Sequence, residues 1–168
     1  MSKVQPGRFT ASLDGEVVLF LIGMRFNKPW KIWRWWQAFV AMPRMLRALQ
    51  AHPELGLLHV QGGLLSGQPL QICYFASLDH LYRFASDPDQ PHLEPWRAFN
   101  RSVRASGDVG IWHETYRVGP KSAESVYSNM PPWLLGAAVG TVPAGQRGNS
   151  ARKRAGLTEE DAPTVAPY

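Results

Sequence analysis

Apolar residues alternate along some stretches of the chain and recur at helical spacing along others, and the order of these stretches predicts an α+β domain. From Glu16 to Arg25 both alternating faces are apolar, Val17, Leu19 and Leu21 against Val18, Phe20 and Ile22. A strand with two apolar faces is covered on both sides, so this run predicts a central strand. After Asn27-Lys28-Pro29, the residues Trp33, Trp36, Phe39 or Val40, Met45, Leu46 and Leu49 recur at helical spacing between Trp30 and Gln50. They predict one helix, with a kink or restart at Pro43, ended by His52-Pro53-Glu54. Leu57 to Gln61 and Leu70 to Ala76 read as the strands of a hairpin, joined through Gly62-Gly63 and Gly67.

Ser77-Leu78-Asp79-His80 then opens a short helix carrying Leu78, Leu81, Tyr82 and Ala85, with Ser77 as its cap and Asp87-Pro88 as its end. A second helix is expected from about Pro95 to Ala105, with Trp96, Phe99 and Val103 on one side and Arg97, Arg101 and Arg104 toward water. After the turn Ser106-Gly107-Asp108, Val109 to Val118 alternates as a strand, and Glu124 to Ser128 adds a short strand or arm.

Strand, helix, strand, strand, helix or helices, strand is the split βαβ order of a ferredoxin-like α+β domain with an antiparallel sheet. Helices on one face of such a sheet leave the other face needing cover, which face-to-face packing of two copies would supply. A homodimer is therefore expected. The reading gives a single domain over residues 1–142. From Pro143 onward large apolar side chains are scarce, so 143–168 is expected to be a flexible tail.

Composition narrows the function. Hydrophobic residues at 45% can bury a core, and a charged fraction of 18% sits below the roughly 25% of ordinary soluble domains, which argues against a disordered or solvated coiled-coil body. The net charge of +5 is small, lies partly in the expected tail, and comes with no docking motif, so nucleic acid is not an expected partner. The single cysteine, Cys73, excludes an intrachain disulfide framework and any multi-cysteine metal site. A reducing compartment follows, and with no secretory signal at the start and no apolar run near the ~20 residues a span requires, the expected location is cytoplasmic. Nucleotide-binding glycine motifs, the zinc-protease helix motif and the serine-hydrolase elbow are all missing.

Several stretches carry a specific likeness. Leu21-Ile22-Gly23-Met24-Arg25-Phe26-Asn27-Lys28, Ala41-Met42-Pro43-Arg44, His92 with Trp96 and Phe99-Asn100, Val109 to Tyr116, and Tyr127-Ser128-Asn129-Met130-Pro131 resemble the monooxygenase-like family typified by the fumagillin-pathway ABM oxygenase. The likeness runs from about Val17 to Leu135. It implies the dimeric α/β-barrel (ABM) superfamily, which also holds haem-degrading enzymes and aldoxime dehydratases, and it implies fold more firmly than activity. The segment Gln71-Ile72-Cys73-Tyr74-Phe75 is less aromatic than its counterpart in the family, so the pocket lining differs and substrate identity does not carry over.

Candidate chemistry centres on the last strand. His113 and Glu114 are adjacent, so they point to opposite faces and cannot serve one substrate atom. Two teams result: Ile111, His113 and Thr115 on one face, Trp112, Glu114 and Tyr116 on the other. Spacing does not decide which team meets a ligand. His113 is preferred as base or hydrogen-bond donor, because a neutral imidazole works near pH 7, against the alternative of a hydrogen-bonded core histidine. Tyr116, His92 and Asn100 complete the candidate catalytic set, and Trp96, Trp112, Glu114, His59 and Tyr74 the candidate binding set. His92, Trp96 and Asn100 step by four, although Pro95 unsettles the register of His92. His59 and Gln61 share a strand face that water alone would explain.

The first expectation is an ABM-type monooxygenase acting on a small hydrophobic or polycyclic metabolite without a nucleotide cofactor, the substrate supplying the electrons. The second is a haem enzyme of the same superfamily, with His113, His92 or His59 on the iron. The third is a non-enzymatic module that holds a hydrophobic ligand or touches membranes through Lys28-Pro29-Trp30-Lys31-Ile32-Trp33-Arg34-Trp35-Trp36. That run has the mix of an interfacial helix or of a single-strand stacking platform, and also of ordinary packing with snorkelling Lys and Arg.

Overall fold

The computed structural model describes residues 3–86, 97, 101 and 106–162. Its elements are β1 (Gln5–Ala11), β2 (Val17–Phe26), α1 (Ile32–Ala51), β3 (Leu57–Leu65), β4 (Gln68–Phe75), α2 (Leu78–Ser86), β5 (Val109–Val118), β6 (Tyr127–Met130), α3 (Leu135–Val139), β7 (Thr141–Pro143) and α4 (Ala151–Arg154). They form two compact units, residues 19–116 and residues 1–18 with 117–168, in place of the expected single domain over 1–142.

The unit of residues 19–116 holds a four-stranded sheet in the order β3-β4-β2-β5. Within it the first strand in chain order lies between the third and the fourth, which is the ferredoxin-like arrangement that the split βαβ order predicts. β2 is an interior strand, as its two apolar faces require. β3 and β4 pair antiparallel with His59 opposite Tyr74, Val60 opposite Cys73 and Gln61 opposite Ile72. The hairpin runs past the glycines expected to end it: Gly62 pairs with Gln71 and Gly63 with Leu70. The turn falls at Ser66 and Gly67, with φ of 51° and 76°. Two consecutive left-handed residues make the tight loop whose twist suits a hairpin.

α1 continues through Pro43 without a break. Its buried side differs from the expected stripe. Trp35 stacks against Phe26 with ring centroids 4.3 Å apart and joins a cluster with Met24, Val109 and Ile111. Trp33 lies about 160° around the helix from Trp35, so packing one turns the other to solvent. Trp33 and Trp36 are exposed, while Leu49 at the far end is buried. α2 starts from Ser77, whose hydroxyl accepts the His80 backbone N–H at 3.3 Å, and it buries Leu81 and Phe84. Tyr82 of the expected stripe is exposed. The second helix expected at Pro95 to Ala105 lies outside the described residues except for Arg97 and Arg101, both helical and exposed.

The unit of the two chain ends has a three-stranded antiparallel sheet in the order β6-β1-β7. β1 has no counterpart in the sequence reading, because Gln5-Pro6-Gly7-Arg8 offers no apolar alternation. Its register slips between Gln5 and Arg8, where Gly7 takes φ of 97° and donates its N–H to Asn129 Oδ1 at 2.8 Å. The Tyr127 hydroxyl accepts the Gly136 N–H at 2.8 Å, and the same ring lies so close that a Cβ on residue 136 would meet it at 2.7 Å.

Residues after Pro143, expected as a tail, carry a 3-10 turn at 144–146 and α4, and Ala144 is buried. Polar contacts hold them where apolar ones are few. Arg154 bonds Glu124 Oε1 through Nε and Nη2, and its Nη1 donates to the carbonyls of Gly148 and Asn149. The Asp161 carboxylate accepts the backbone N–H groups of Asn149 and Ser150, which pull its pKa below the usual carboxylate range. Among the described residues no helix is long and apolar enough to cross a membrane.

Candidate functional site

Ring contacts separate the two faces of the four-stranded sheet. Phe20 meets Phe75 at 6.5 Å and His113 at 5.7 Å, and Phe75 meets Phe84 of α2 at 6.3 Å. Residues 20, 24 and 26 of β2, 73 and 75 of β4, and 109, 111 and 113 of β5 therefore share the face that carries α1 and α2. Strand alternation puts Leu19, Leu21 and Gly23, Ile72 and Tyr74, His59 and Gln61, and Trp112, Glu114 and Tyr116 on the other.

These contacts assign each team of β5 to a face of the sheet. Trp112, Glu114, Tyr116, Tyr74 and His59 come together on one face. His113 stands on the opposite one, exposed at the edge of the helix side with its ring against Phe20, so the candidate catalytic residues His113 and Tyr116 lie on opposite faces, as their spacing requires. His92, Trp96 and Asn100 lie outside the described residues.

The gathered face has three parts. On β5, the Tyr116 hydroxyl donates to Glu114 Oε2 at 2.5 Å, a pairing that residues two apart on a strand can make because they project the same way. That bond to a carboxylate raises the phenol pKa above its ordinary value, so Tyr116 keeps its proton. Trp112 supplies a wall: its indole lies directly over Gly23, where any Cβ would come within 2.5 Å of it. Gly23 was quoted only for its resemblance, yet a glycine in the middle of an apolar strand is itself the signal of such a close approach.

On β3 and β4, His59 sits opposite the buried Tyr74. His59 Nε2 is buried and has no hydrogen-bond partner among the described residues. Burial pulls the imidazole pKa down, so His59 is neutral at pH 7. Between these groups runs the apolar strip of Leu19, Leu21 and Gly23 on β2. Three strand spacings separate the axes of β3 and β5, roughly 14 Å. The two polar ends cannot meet on one atom. They suit an elongated, flat, apolar molecule with a polar group toward each end.

One residue with a clear structural task was missed. Asp108 at the foot of β5 is 2% exposed, and its carboxylate takes Lys28 Nζ and Lys31 Nζ at 2.9 Å with Arg34 Nε at 3.8 Å. Hydrogen bonds from both lysines hold its pKa below the usual range. Its backbone carbonyl accepts the N–H groups of Asn27 and Lys28, each at 3.1 Å. Asp108 thus ties the β2–α1 junction to the start of β5. Its signal was available in sequence: Asp108 is the acid that follows a Ser-Gly turn and precedes an apolar strand.

Cys73 is buried and its thiol is pushed up to about 12 by desolvation, which leaves it inert. Among the described residues no group of three or more His, Cys, Asp or Glu could hold a metal ion. Of the three histidines expected as iron donors, His59 has a buried ring nitrogen without a partner among the described residues, His113 is exposed beside Phe20, and His92 lies outside the described residues. A recess of about 30 Å³ in the unit of the chain ends, lined by Thr10, Ser125, Arg147 and Arg154, has room for about one water.

A family described as monooxygenase af470-like matches residues 17–135, from the first residue of β2 to the first of α3. The chain is 32% identical over 158 residues to the curated protein monooxygenase af470 of Aspergillus fumigatus, an alignment covering 81% of this chain and 55% of that protein. The chain therefore spans about half the length of the curated relative it matches. On the extent of both matches, the chain belongs to the monooxygenase af470-like family.

Proposed function

We propose that the protein is an ABM-type monooxygenase that oxidises a small hydrophobic or polycyclic metabolite without a nucleotide cofactor. The observation that carries this reading is the gathering of His59, Tyr74, Trp112, Glu114 and Tyr116 on one sheet face of a chain from a monooxygenase family. In the proposal a second copy laid on that face closes the site.

The substrate is a conjugated, hydroxylated ring system with an oxidisable CH₂. His59 accepts a proton through its unpartnered nitrogen, taking over the role first expected of His113. In a conjugated molecule deprotonation at one end raises electron density throughout, and the anion passes one electron to O₂. Substrate radical and superoxide combine to a hydroperoxide, which loses water. CH₂ plus O₂ becomes C=O plus H₂O, a four-electron oxidation that consumes all the reducing equivalents O₂ needs. At the other end Tyr116, held protonated by Glu114, donates to the departing or anionic oxygen, and Trp112 and the β2 strip exclude water.

The test is oxygen uptake against a panel of hydroxylated polycyclic aromatics with no nicotinamide, flavin or haem added. Expected are substrate-dependent uptake and a fall of about 100-fold in His59→Ala. Silence across the panel overturns the reading. So does a Soret band on adding haemin that disappears in His59→Ala, which would make the protein a haem enzyme with His59 as the axial ligand.

A further inference from the structure

The N-terminal half of α1 and the loop before it are built against the usual rules for a solvent-facing helix. Trp30 is 67% exposed and Trp33 69%, and Ile32, Trp36 and Phe39 are exposed as well. At 100° per residue, Ile32, Trp33, Trp36 and Phe39 fall within one arc of about 120°, whose Phe39 edge adjoins Trp35, the indole that packs on the sheet, with ring centroids 6.1 Å apart. Single exposed apolar residues need no explanation, but a contiguous aromatic arc marks an interaction surface.

The charge pattern is equally one-sided. From Val17 to Pro53 the chain has no Asp or Glu, and it has Arg25, Lys28, Lys31, Arg34, Arg44 and Arg47. A helix whose outer side is merely solvated carries mixed charges that pair along its surface. α1 has none to pair, and it has no acid in its first turn, where the positive end of the helix dipole favours one. Lys28, Lys31 and Arg34 stand at or just before that end instead. Asp108, the carboxylate that all three approach, is buried, while the Lys28, Lys31 and Arg34 side chains around it stay partly exposed.

We propose that this end of α1, with Trp30, is a docking surface for an anionic membrane. The indoles would seat at the headgroup level while Lys28, Lys31 and Arg34 face the lipid phosphates and carboxylates. No described helix is long and apolar enough to span, so the association is peripheral. Single-stranded nucleic acid fits the surface less well. Trp36 stacks on Phe39 with centroids 5.9 Å apart, which occupies ring faces that bases would need, and Ile32 has no ring to offer. The inference is independent of the oxygenase reading.

The experiment is flotation with vesicles of phosphatidylcholine alone and with about 30% phosphatidylserine, at low and high salt. Expected is recovery with the anionic vesicles only, weakened by salt, and reduced at least about tenfold in a Trp30→Ser, Trp33→Ser double variant whose circular dichroism is unchanged. Arg47→Glu, at an exposed helical position, should also weaken recovery, and it serves if the double variant does not fold. No recovery, or recovery that the indole changes leave intact, overturns the proposal. So does self-association in the absence of vesicles that is lost in the double variant, which would make a second copy the occupant, or displacement from vesicles by a single-stranded oligonucleotide.

Discussion

His113 and Glu114 are neighbours in the chain and end in different chemistry. His113 joins the helix-bearing face, with Phe20 beside it and the Met24–Val109 cluster further along. Glu114 joins the face with Trp112 and Tyr116 and accepts the tyrosine hydroxyl's hydrogen bond at 2.5 Å. One strand thus divides its labour by parity: odd residues from Val109 to His113 side with the helices, and even residues from Trp112 to Tyr116 carry the candidate chemistry. A residue's worth for catalysis is set here by which neighbour lies across the strand, more than by its own reactivity.

The harshest way to break this division is Gly23→Val. Its branched side chain would have to occupy space that the Trp112 indole fills, so we expect a loss of about 2–3 kcal/mol in urea unfolding, together with loss of oxygen uptake. Glu114→Gln keeps the shape and removes the charge. Uptake should fall by about 100-fold while the urea midpoint stays put, because both partners of the Glu114–Tyr116 bond are exposed.

Tyr116→Phe should cost roughly tenfold in uptake. It also carries a pH signature. The phenol pKa is raised in the folded chain, so folding holds that proton more tightly than the unfolded chain does. The resulting stability is present in full below about pH 10 and is lost as pH rises through the raised value, and Tyr116→Phe should flatten that alkaline limb of a stability profile. The smallest change belongs to His113→Ala, expected to leave uptake within about twofold of the parent and stability within about 0.5 kcal/mol. A large loss of uptake in that variant would return the chemistry to the helix side and invert the comparison.

Much of the four-stranded sheet was legible in sequence because its strands announce themselves. β2 is apolar on both faces, and β5 alternates from Val109 to Val118. Their relation to one another was not legible, since it took Phe20 and Gly23, on opposite faces of β2, to show which way His113 and Trp112 point. The buried side of α1 was misassigned for a different reason. Residues 30–36 include four indoles, so nearly every arc of the helix contains one, and periodicity alone does not single out Trp35. The hairpin turn was placed early because Gly62 and Gly63 read as breakers, although a glycine inside a paired strand leaves room for a neighbour, as Gln71 uses at Gly62. β1 and the segment after Pro143 escaped because they are held by polar contacts between distant residues, such as Gly7 with Asn129 and Arg154 with Glu124. No local pattern encodes such pairs.

The pairing of β1 also sets an order of events during synthesis. β1 is complete once residue 11 is made, but both its partners, β6 and β7, lie beyond residue 126. At ordinary ribosomal speeds that is a delay of roughly 6 to 25 s, far longer than a strand needs to find a neighbour that already exists. During that interval β1 lacks both of these partners, while β2 through β5 can assemble behind it. A nascent chain stalled so that residues up to 126 have cleared the ribosomal tunnel should therefore present the four-stranded sheet with β1 unpaired and open to proteases or chaperones.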